Sequence, residues 1–295
     1  MTALSPTETN PPMPTRQSAV RRIESQLARA GLCARREAEA LVAAWLGISR
    51  ASLLADREQP VPVEKIDGLN EWGLRRAAGV PLAYLTERRE FWSLSLEVNA
   101  DVLVPRPETE MLVELALETS AFPAHRNEMP AVLDLGTGSG AIALALASER
   151  PDWKIFACDR SAAALRLAQR NAERLAIDSI VWQLSNWFDS FGNRQFDIVV
   201  ANPPYLAAHD AALDADGLRF EPREALISGS DGLADLRAIA AAAPRHLKRG
   251  GRLLLEHGAA QGIAVRELLV AQGFAHVVSH LDLAGHERIT EGQWL

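Results

Sequence analysis

The stretch Phe196-Asp197-Ile198-Val199-Val200-Ala201-Asn202-Pro203-Pro204-Tyr205 decides how the rest of the chain is read. Its first six residues form a short apolar run of the kind found in a parallel strand buried on both faces. Two prolines then end the strand, because neither can donate a ladder hydrogen bond. The residue before each proline is pushed into extended backbone. Asn202 is therefore expected at the carboxyl end of a strand, on stiff backbone. In open α/β sheets that edge is where ligands bind. A turn that merely stops a strand would explain Pro-Pro, but not Asn, two prolines and an aromatic together.

Working outward, strands and helices alternate. Ala131–Leu135, Lys154–Cys158, Ser179–Leu184, Phe196–Ala201 and Arg252–Glu256 are expected as strands. Ala141–Ser148, Ala162–Leu175, Asp235–Leu247 and Ala260–Gln272 are expected as helices, and two short strands near His276 and Arg288 close the chain. This alternation implies an α/β fold with parallel strands, right-handed crossovers and helices on both faces. Upstream the period is helical: Val20, Ile23, Leu27 and Ala30 in one segment, and Ala38, Leu41, Val42 and Trp45 in the next. A third helix is expected within Glu64–Ala78, weakened by Gly68 and Gly73. Between the modules, residues 91–98 alternate with a period of two, which predicts a hairpin turning near Asn99-Ala100-Asp101. The expected organisation is a disordered proline-rich tail (1–15), a small helical domain (16–82), a hairpin linker (83–106) and a Rossmann-like domain (107–295). Loose loops are expected at Phe122–Pro130 and after Tyr205, and an unstructured stretch of the second length is usually functional.

Composition narrows the function classes. The 295 residues carry a formal net charge of -7, unevenly spread: residues 1–80 hold 11 Lys+Arg and 9 Asp+Glu, residues 81–295 hold 20 and 29. An acidic main domain argues against tight binding to a nucleic-acid backbone. No long uncharged apolar run is present, so a soluble protein is expected. Cys33 and Cys158 form no CxxC pair, and no histidine cluster has metal-ligand spacing. A disulfide framework and a metal site are therefore not expected, and a reducing cytoplasm fits.

Two further constellations carry chemistry. Asp134-Leu135-Gly136-Thr137-Gly138-Ser139-Gly140 places three glycines between a strand and a helix, where backbone can approach a ligand closely. Asp159, at the next strand end, can accept both hydroxyls of a ribose. The same glycine pattern suits a nicotinamide dinucleotide. Two features favour S-adenosylmethionine instead. Asp134 can hold an ammonium group and would repel a pyrophosphate, and Asn202-Pro203-Pro204-Tyr205 supplies what a methyl acceptor needs. The plainer reading of Asp134 is an acid satisfied by backbone amides near the helix start. Pro105-Arg106-Pro107-Glu108-Thr109-Glu110 reads either as a capped helix start or as a fixed loop carrying Arg106 and two carboxylates towards the site. Glu256-His257, at the end of an apolar strand, reads as structural.

Gly136 to Gly140, Asp159 and the Asn202 motif resemble class I methyltransferases acting on planar nitrogens. Arg89-Glu90-Phe91-Trp92, the segment from Pro105 to Glu110, Asn186-Trp187-Phe188, and Phe220-Glu221-Pro222 with Ala225-Leu226 narrow the resemblance to the release factor glutamine methyltransferases. It runs from about residue 20 to the C-terminus. The resemblance implies a seven-stranded sheet with its last strand antiparallel. It implies N5 methylation of the glutamine in the Gly-Gly-Gln loop of class I peptide chain release factors. It implies a cofactor site of Asp134, Gly136, Thr137, Gly138, Ser139, Gly140, Asp159, Trp187 and Asn202, with Trp187 on the adenine. Asn202 and Pro203 would accept the two N–H bonds of the substrate amide, Tyr205 would stack on it, and Pro204 would complete the substrate site. S-adenosyl-L-homocysteine would be the product. The expected protein is a cytoplasmic monomer that contacts neither membrane nor nucleic acid directly. Other acceptors are a glutamine on a ribosomal protein and, less favoured, adenine in DNA. Outside this class stand a nicotinamide dehydrogenase and a non-catalytic cofactor-binding protein.

Overall fold

The computed structural model describes residues 13–32, 34–118, 129–214 and 217–295. Most of the expected tail, Cys33 and most of the loop expected at Phe122–Pro130 lie outside them. The chain divides into two compact units between Thr86 and Glu87.

The first unit is helical: α1 (Arg16–Arg29), α2 (Ala34–Leu46), α3 (Arg50–Ala55), α4 (Ile66–Ala77) and α5 (Leu82–Thr86). The periodic residues Val20, Ile23, Leu27, Leu41 and Val42 form its core with Leu53, Leu69 and Leu85. Thr15 and Ser49 cap α1 and α3 through their hydroxyls. The two glycines that weaken α4 as a helix are there for packing. A Cβ at Gly68 would lie 2.3 Å from the Trp45 ring, and one at Gly73 would lie 2.8 Å from Ile23 Cδ1. The helix-propensity cost is offset by close approach to α1 and α2. Buried Glu39 is held by Arg35 and Arg50 at 2.8 and 2.7 Å. The short helices α3 and α5 carry too few residues to show a period in the sequence.

The second unit opens with the hairpin β1 (Arg88–Phe91) and β2 (Leu94–Glu97). The expected turn at Asn99-Ala100-Asp101 is corrected: the chain reverses at Trp92-Ser93, both at positive φ (51° and 59°). A two-residue hairpin turn needs that conformation, and tertiary contacts impose it on residues that do not favour it. The Trp92 amide donates to Glu110 (2.8 Å), and its indole N–H donates to Glu149 (2.8 Å). Asn99 and Asp101 form a later bend after β2.

After α6 (Glu110–Leu117) come β3 (Ala131–Leu135), α7 (Ala141–Glu149), β4 (Lys154–Asp159), α8 (Ala162–Leu175), β5 (Ile180–Leu184) and β6 (Phe196–Ala201). Then follow α9 (Ala234–His246), β7 (Leu247–Glu256), α10 (Gly262–Ala271), β8 (Ala275–Leu281) and β9 (Glu287–Gln293). The seven strands are ordered β5-β4-β3-β6-β7-β9-β8; β9 runs antiparallel to both β7 and β8, and the other neighbouring pairs are parallel. The sheet thus has the expected α/β class, strand number and antiparallel last strand. β7 begins five residues earlier than expected, and its register with β6 shifts between Phe196 and Ile198.

Alternate residues of the central strands enter two cores. Val132, Ile198, Val200 and Leu254 face the core built on α6 and α7. Leu133, Val199, Ala201, Leu253 and Leu255 face the core built on α9 and α10. Burial on both faces explains why these strands are continuous apolar runs. The strand order reverses between β3 and β6, so the crevice lies at their carboxyl ends.

Candidate active site

Three strand ends deliver the site. After β3 the backbone turns through Gly136, Gly138 and Gly140, at φ 71°, 56° and 86°. A side chain at Gly136 would press on the Trp187 ring at 3.3 Å, so glycine leaves the loop open beneath that ring. The Thr137 amide donates to Cys158 O (2.9 Å), which ties the loop to β4. Asp159, at the end of β4, accepts from the Gly138 amide (2.9 Å) and the Ser161 amide (2.8 Å). Trp187 sits at φ 47°, and its carbonyl accepts from the Ser185 hydroxyl (2.9 Å).

Gly136, Thr137, Gly138, Ser139, Asp159, Trp187, Asn202 and Pro204 all line one cleft. Two residues of the expected cofactor set stand apart from its wall. Gly140 caps α7 from behind the loop. Asp134 is fully buried below the loop, where one oxygen accepts from the Thr137 hydroxyl (2.6 Å) and the Ala143 amide (3.2 Å). That oxygen braces the loop from underneath, while the other, Oδ1, is buried without a hydrogen-bond partner. Burial pushes its carboxyl up to about 7. Burial likewise pushes the Cys158 thiol up to about 12, outside the range of a nucleophile.

A second cleft abuts the first. It is lined by Arg106, Glu108, Pro203, Tyr205, Glu256 and Arg288, among others, and Asn202 belongs to both walls. The Asn202 side chain donates from Nδ2 to Thr109 Oγ1 at 3.0 Å. Its Oδ1 is buried and has no hydrogen-bond partner. Tyr205 is held by its carbonyl, which accepts from Gln261 Nε2 (3.0 Å). Burial raises its phenol above the ordinary value, so it stays neutral.

The segment after Tyr205 is ordered by its own ends. Leu206 exchanges backbone hydrogen bonds with Leu226 and Ser228, each 2.9 Å. Glu221, 4% exposed, accepts from the Val104 amide (3.0 Å) and Arg106 Nη2 (2.5 Å). That pair fixes the Pro105-Arg106-Pro107 turn against the loop. Of the two carboxylates read into that turn, Glu108 reaches the second cleft, whereas Glu110 turns away to hold the hairpin at Trp92.

The chain is similar to curated proteins named release factor glutamine methyltransferase. The one from Pseudomonas aeruginosa is 51% identical over 261 residues, covering 88% of this chain and 93% of that protein. The one from Xylella fastidiosa strain Temecula1 is 46% identical, covering 87% and 92%. Family models for "PrmC N-terminal domain" and "Methyltransferase small domain" match residues 18–86 and 111–218. This chain belongs to the release factor glutamine methyltransferase family. A Thermus thermophilus 16S rRNA N2 G1207 methyltransferase, solved with AdoMet and guanosine, shares the fold: TM-score 0.52, 18% identity, 70% of this chain and 50% of that one.

In this family member two residues that line the clefts carry no sequence signal of their own. By sequence Thr109 reads as part of a helix start, yet it is 4% exposed and meets Asn202 across 93 positions. By sequence Glu256 reads as structural at a strand end, yet it lines the second cleft beside Arg288. His257 keeps its structural reading: it is buried, with Nε2 2.8 Å from Thr290 Oγ1. No local pattern marks Thr109 or Glu256. Thr109 does lie within the segment from Pro105 to Glu110 that carries the resemblance, and that is the one available signal; Glu256 has none.

Proposed function

We propose that this chain transfers a methyl group from S-adenosyl-L-methionine to the side-chain amide nitrogen of the glutamine in the Gly-Gly-Gln motif of class I peptide chain release factors. The observation that carries this reading is the buried, unpartnered Oδ1 of Asn202 on the wall shared by two clefts. A buried acceptor without a partner costs about 1–3 kcal/mol, so such an atom points to a donor that arrives with substrate.

The first cleft fits the cofactor. Its open glycine loop, the Asp159 carboxylate and the Trp187 ring suit phosphate-free backbone contact, a ribose and an adenine respectively. When bound, the sulfonium supplies an activated methyl group and a good leaving group, with S-adenosyl-L-homocysteine as product. What remains for this chain is to hold a poor nucleophile. An amide nitrogen shares its lone pair with the carbonyl, and an uncharged carboxamide would not deprotonate it. Asn202 Oδ1 accepts one N–H, and the Pro203 carbonyl accepts the other. These bonds strengthen as the nitrogen pyramidalises, so they stabilise the transition state over the ground state. Tyr205 stacks on the amide and excludes water, and Pro204 closes the cofactor side. Positioning carries most of the catalysis. The proton leaves after transfer.

On this reading the helical unit, the match to "PrmC N-terminal domain", selects the protein substrate. The cytoplasm is the working compartment and one chain the working unit. The test is transfer of labelled methyl to a purified release factor, a ribosomal protein and DNA in parallel. Label on the release factor, lost when its Gly-Gly-Gln glutamine is replaced, is expected. Label on either other acceptor alone, or on none, would replace the reading.

A further inference from the structure

Asn202 does not stand alone. Its Nδ2 donates to the Thr109 hydroxyl at 3.0 Å, and Thr109 in turn donates to the Glu256 side chain. Thr109 comes from the turn before α6, Asn202 from the end of β6 and Glu256 from the end of β7. Thr109 is 4% exposed and Glu256 1%. The second carboxylate oxygen, Oε2, is buried without a partner, on a residue that lines the acceptor-side cleft.

The chain of bonds has a fixed polarity. An ionised carboxylate only accepts hydrogen bonds, and a hydroxyl has one proton to give. Once Thr109 donates that proton to Glu256, it can meet Asn202 only as an acceptor. The end of the carboxamide that faces it must therefore be the NH2. The oxygen is left pointing the other way, and there it lies buried and free. Without this constraint the two ends of an amide are nearly interchangeable in shape, and a flipped Asn202 would present donors where acceptors are needed.

We infer that Glu256, acting through Thr109, sets the orientation of the Asn202 carboxamide and makes the acceptor cleft a hydrogen-bond-accepting site that admits a primary amide and rejects a carboxylate. The inference rests on the reading of Asn202 given above. It assigns Glu256 and Thr109 as positioning residues. A glutamate side chain entering in place of glutamine would face Asn202 Oδ1, the Pro203 carbonyl and the Glu256 carboxylate with no proton to offer any of them.

The charged and titratable groups that face Glu256 are Arg288 on β9, Arg106 and Glu108 before α6, and Tyr205 after β6. Arg288 and Arg106 favour its ionised form, and Glu108 and above all burial oppose it. Protonation of Glu256 lets it donate to Thr109 and frees the Thr109 proton to point elsewhere. The polarity is then lost, so activity should fall as Glu256 protonates.

The test compares wild type with Glu256→Gln, Thr109→Val, Thr109→Ser and Asn202→Ala. Methyl transfer to purified release factor is measured between pH 5.5 and 8.5, with a Gly-Gly-Glu form of the same factor as competitor. Glu256→Gln keeps the shape but can donate or accept, so it removes the polarity alone. It is expected to lower kcat about tenfold or more, with KM for S-adenosylmethionine within about twofold, as loss of a transition-state interaction requires. It should also flatten the acidic limb of the wild-type pH profile and narrow the preference for the Gln over the Glu form about tenfold. Thr109→Val should behave likewise, and Thr109→Ser should restore kcat to within about threefold of wild type. Wild-type kcat, pH profile and Gln preference in Glu256→Gln, alongside an inactive Asn202→Ala, would overturn this inference alone. An active Asn202→Ala would overturn the underlying reading and this inference with it.

Discussion

The two clefts that meet at Asn202 are built by different means. The first leans on backbone: Gly136 and Gly138 at positive φ, an amide tied to the neighbouring strand, and the Asp159 carboxylate on the end of β4, beside the Trp187 ring. The second presents polar side chains, Arg106, Glu108, Asn202, Tyr205, Glu256 and Arg288, drawn from four separate segments, with Thr109 bonded to Asn202 from the wall of the first. A backbone cradle is specified by a few consecutive residues. A side-chain chamber must be assembled from afar, and on the reading proposed above it is where the acceptor is chosen. Damage to the first should therefore appear as cofactor affinity, and damage to the second as turnover.

The largest effect tests that division. Asn202→Ala should lower kcat by about 10²–10³, as loss of a transition-state hydrogen bond does, while calorimetric Kd for S-adenosyl-L-homocysteine stays within about twofold. Asn202→Asp should be comparably inactive. It leaves Thr109 between two carboxylates with one proton to share. An active Asn202→Asp with normal cofactor binding would break the comparison.

The converse variant lies in the first cleft. Asp159→Ala should raise the Kd for S-adenosyl-L-homocysteine about 10- to 100-fold, since a charged acceptor bonded to neutral hydroxyls contributes about 1.5–3 kcal/mol. Turnover at saturating cofactor should stay near wild type. Loss of kcat without loss of affinity would merge the two clefts into one functional unit.

Arg106→Ala sharpens the comparison within the second cleft. Glu221, its partner at 2.5 Å, is buried and would keep only the Val104 amide. The variant should lower Tm by several degrees, as leaving a buried charge unpaired does. It should also raise KM for the protein substrate with little change in cofactor affinity. Thermal scanning and steady-state kinetics check both.

The smallest effect is a slope. Burial raises Asp134 from 3.8 to about 7. Between those values the unfolded chain has released the proton that the folded chain still holds. This group's contribution to stability therefore falls as pH rises from about 4 to 7. Asp134→Asn should remove that part of the slope in Tm against pH. An unchanged slope would place the titration elsewhere.

The same difference in construction explains what the sequence could disclose. Asp134 to Gly140, Asp159 and the two-sided apolar strands are local signals, and each was legible because short-range geometry fixes it. The hairpin turn was not legible: Glu110 and Glu149 hold Trp92 from distant positions and override the turn preference of Asn99-Ala100-Asp101. Nor were Gly68 and Gly73, whose purpose appears only when Trp45 and Ile23 pack against them. Thr109 and Glu256 are ordinary in their local surroundings, a helix start and a strand end. They become part of the site only because β6 and β7 are neighbours and α6 begins beside them. A single chain carries no record of that juxtaposition until it folds.

The most direct measurement is a crystal structure with S-adenosyl-L-homocysteine and a peptide carrying Gly-Gly-Gln. The account predicts the glutamine nitrogen about 3 Å from Asn202 Oδ1 and from the Pro203 carbonyl, with the cofactor sulfur on its open face. A glutamine bound elsewhere, or an Asn202 oxygen turned towards Thr109, would contradict it.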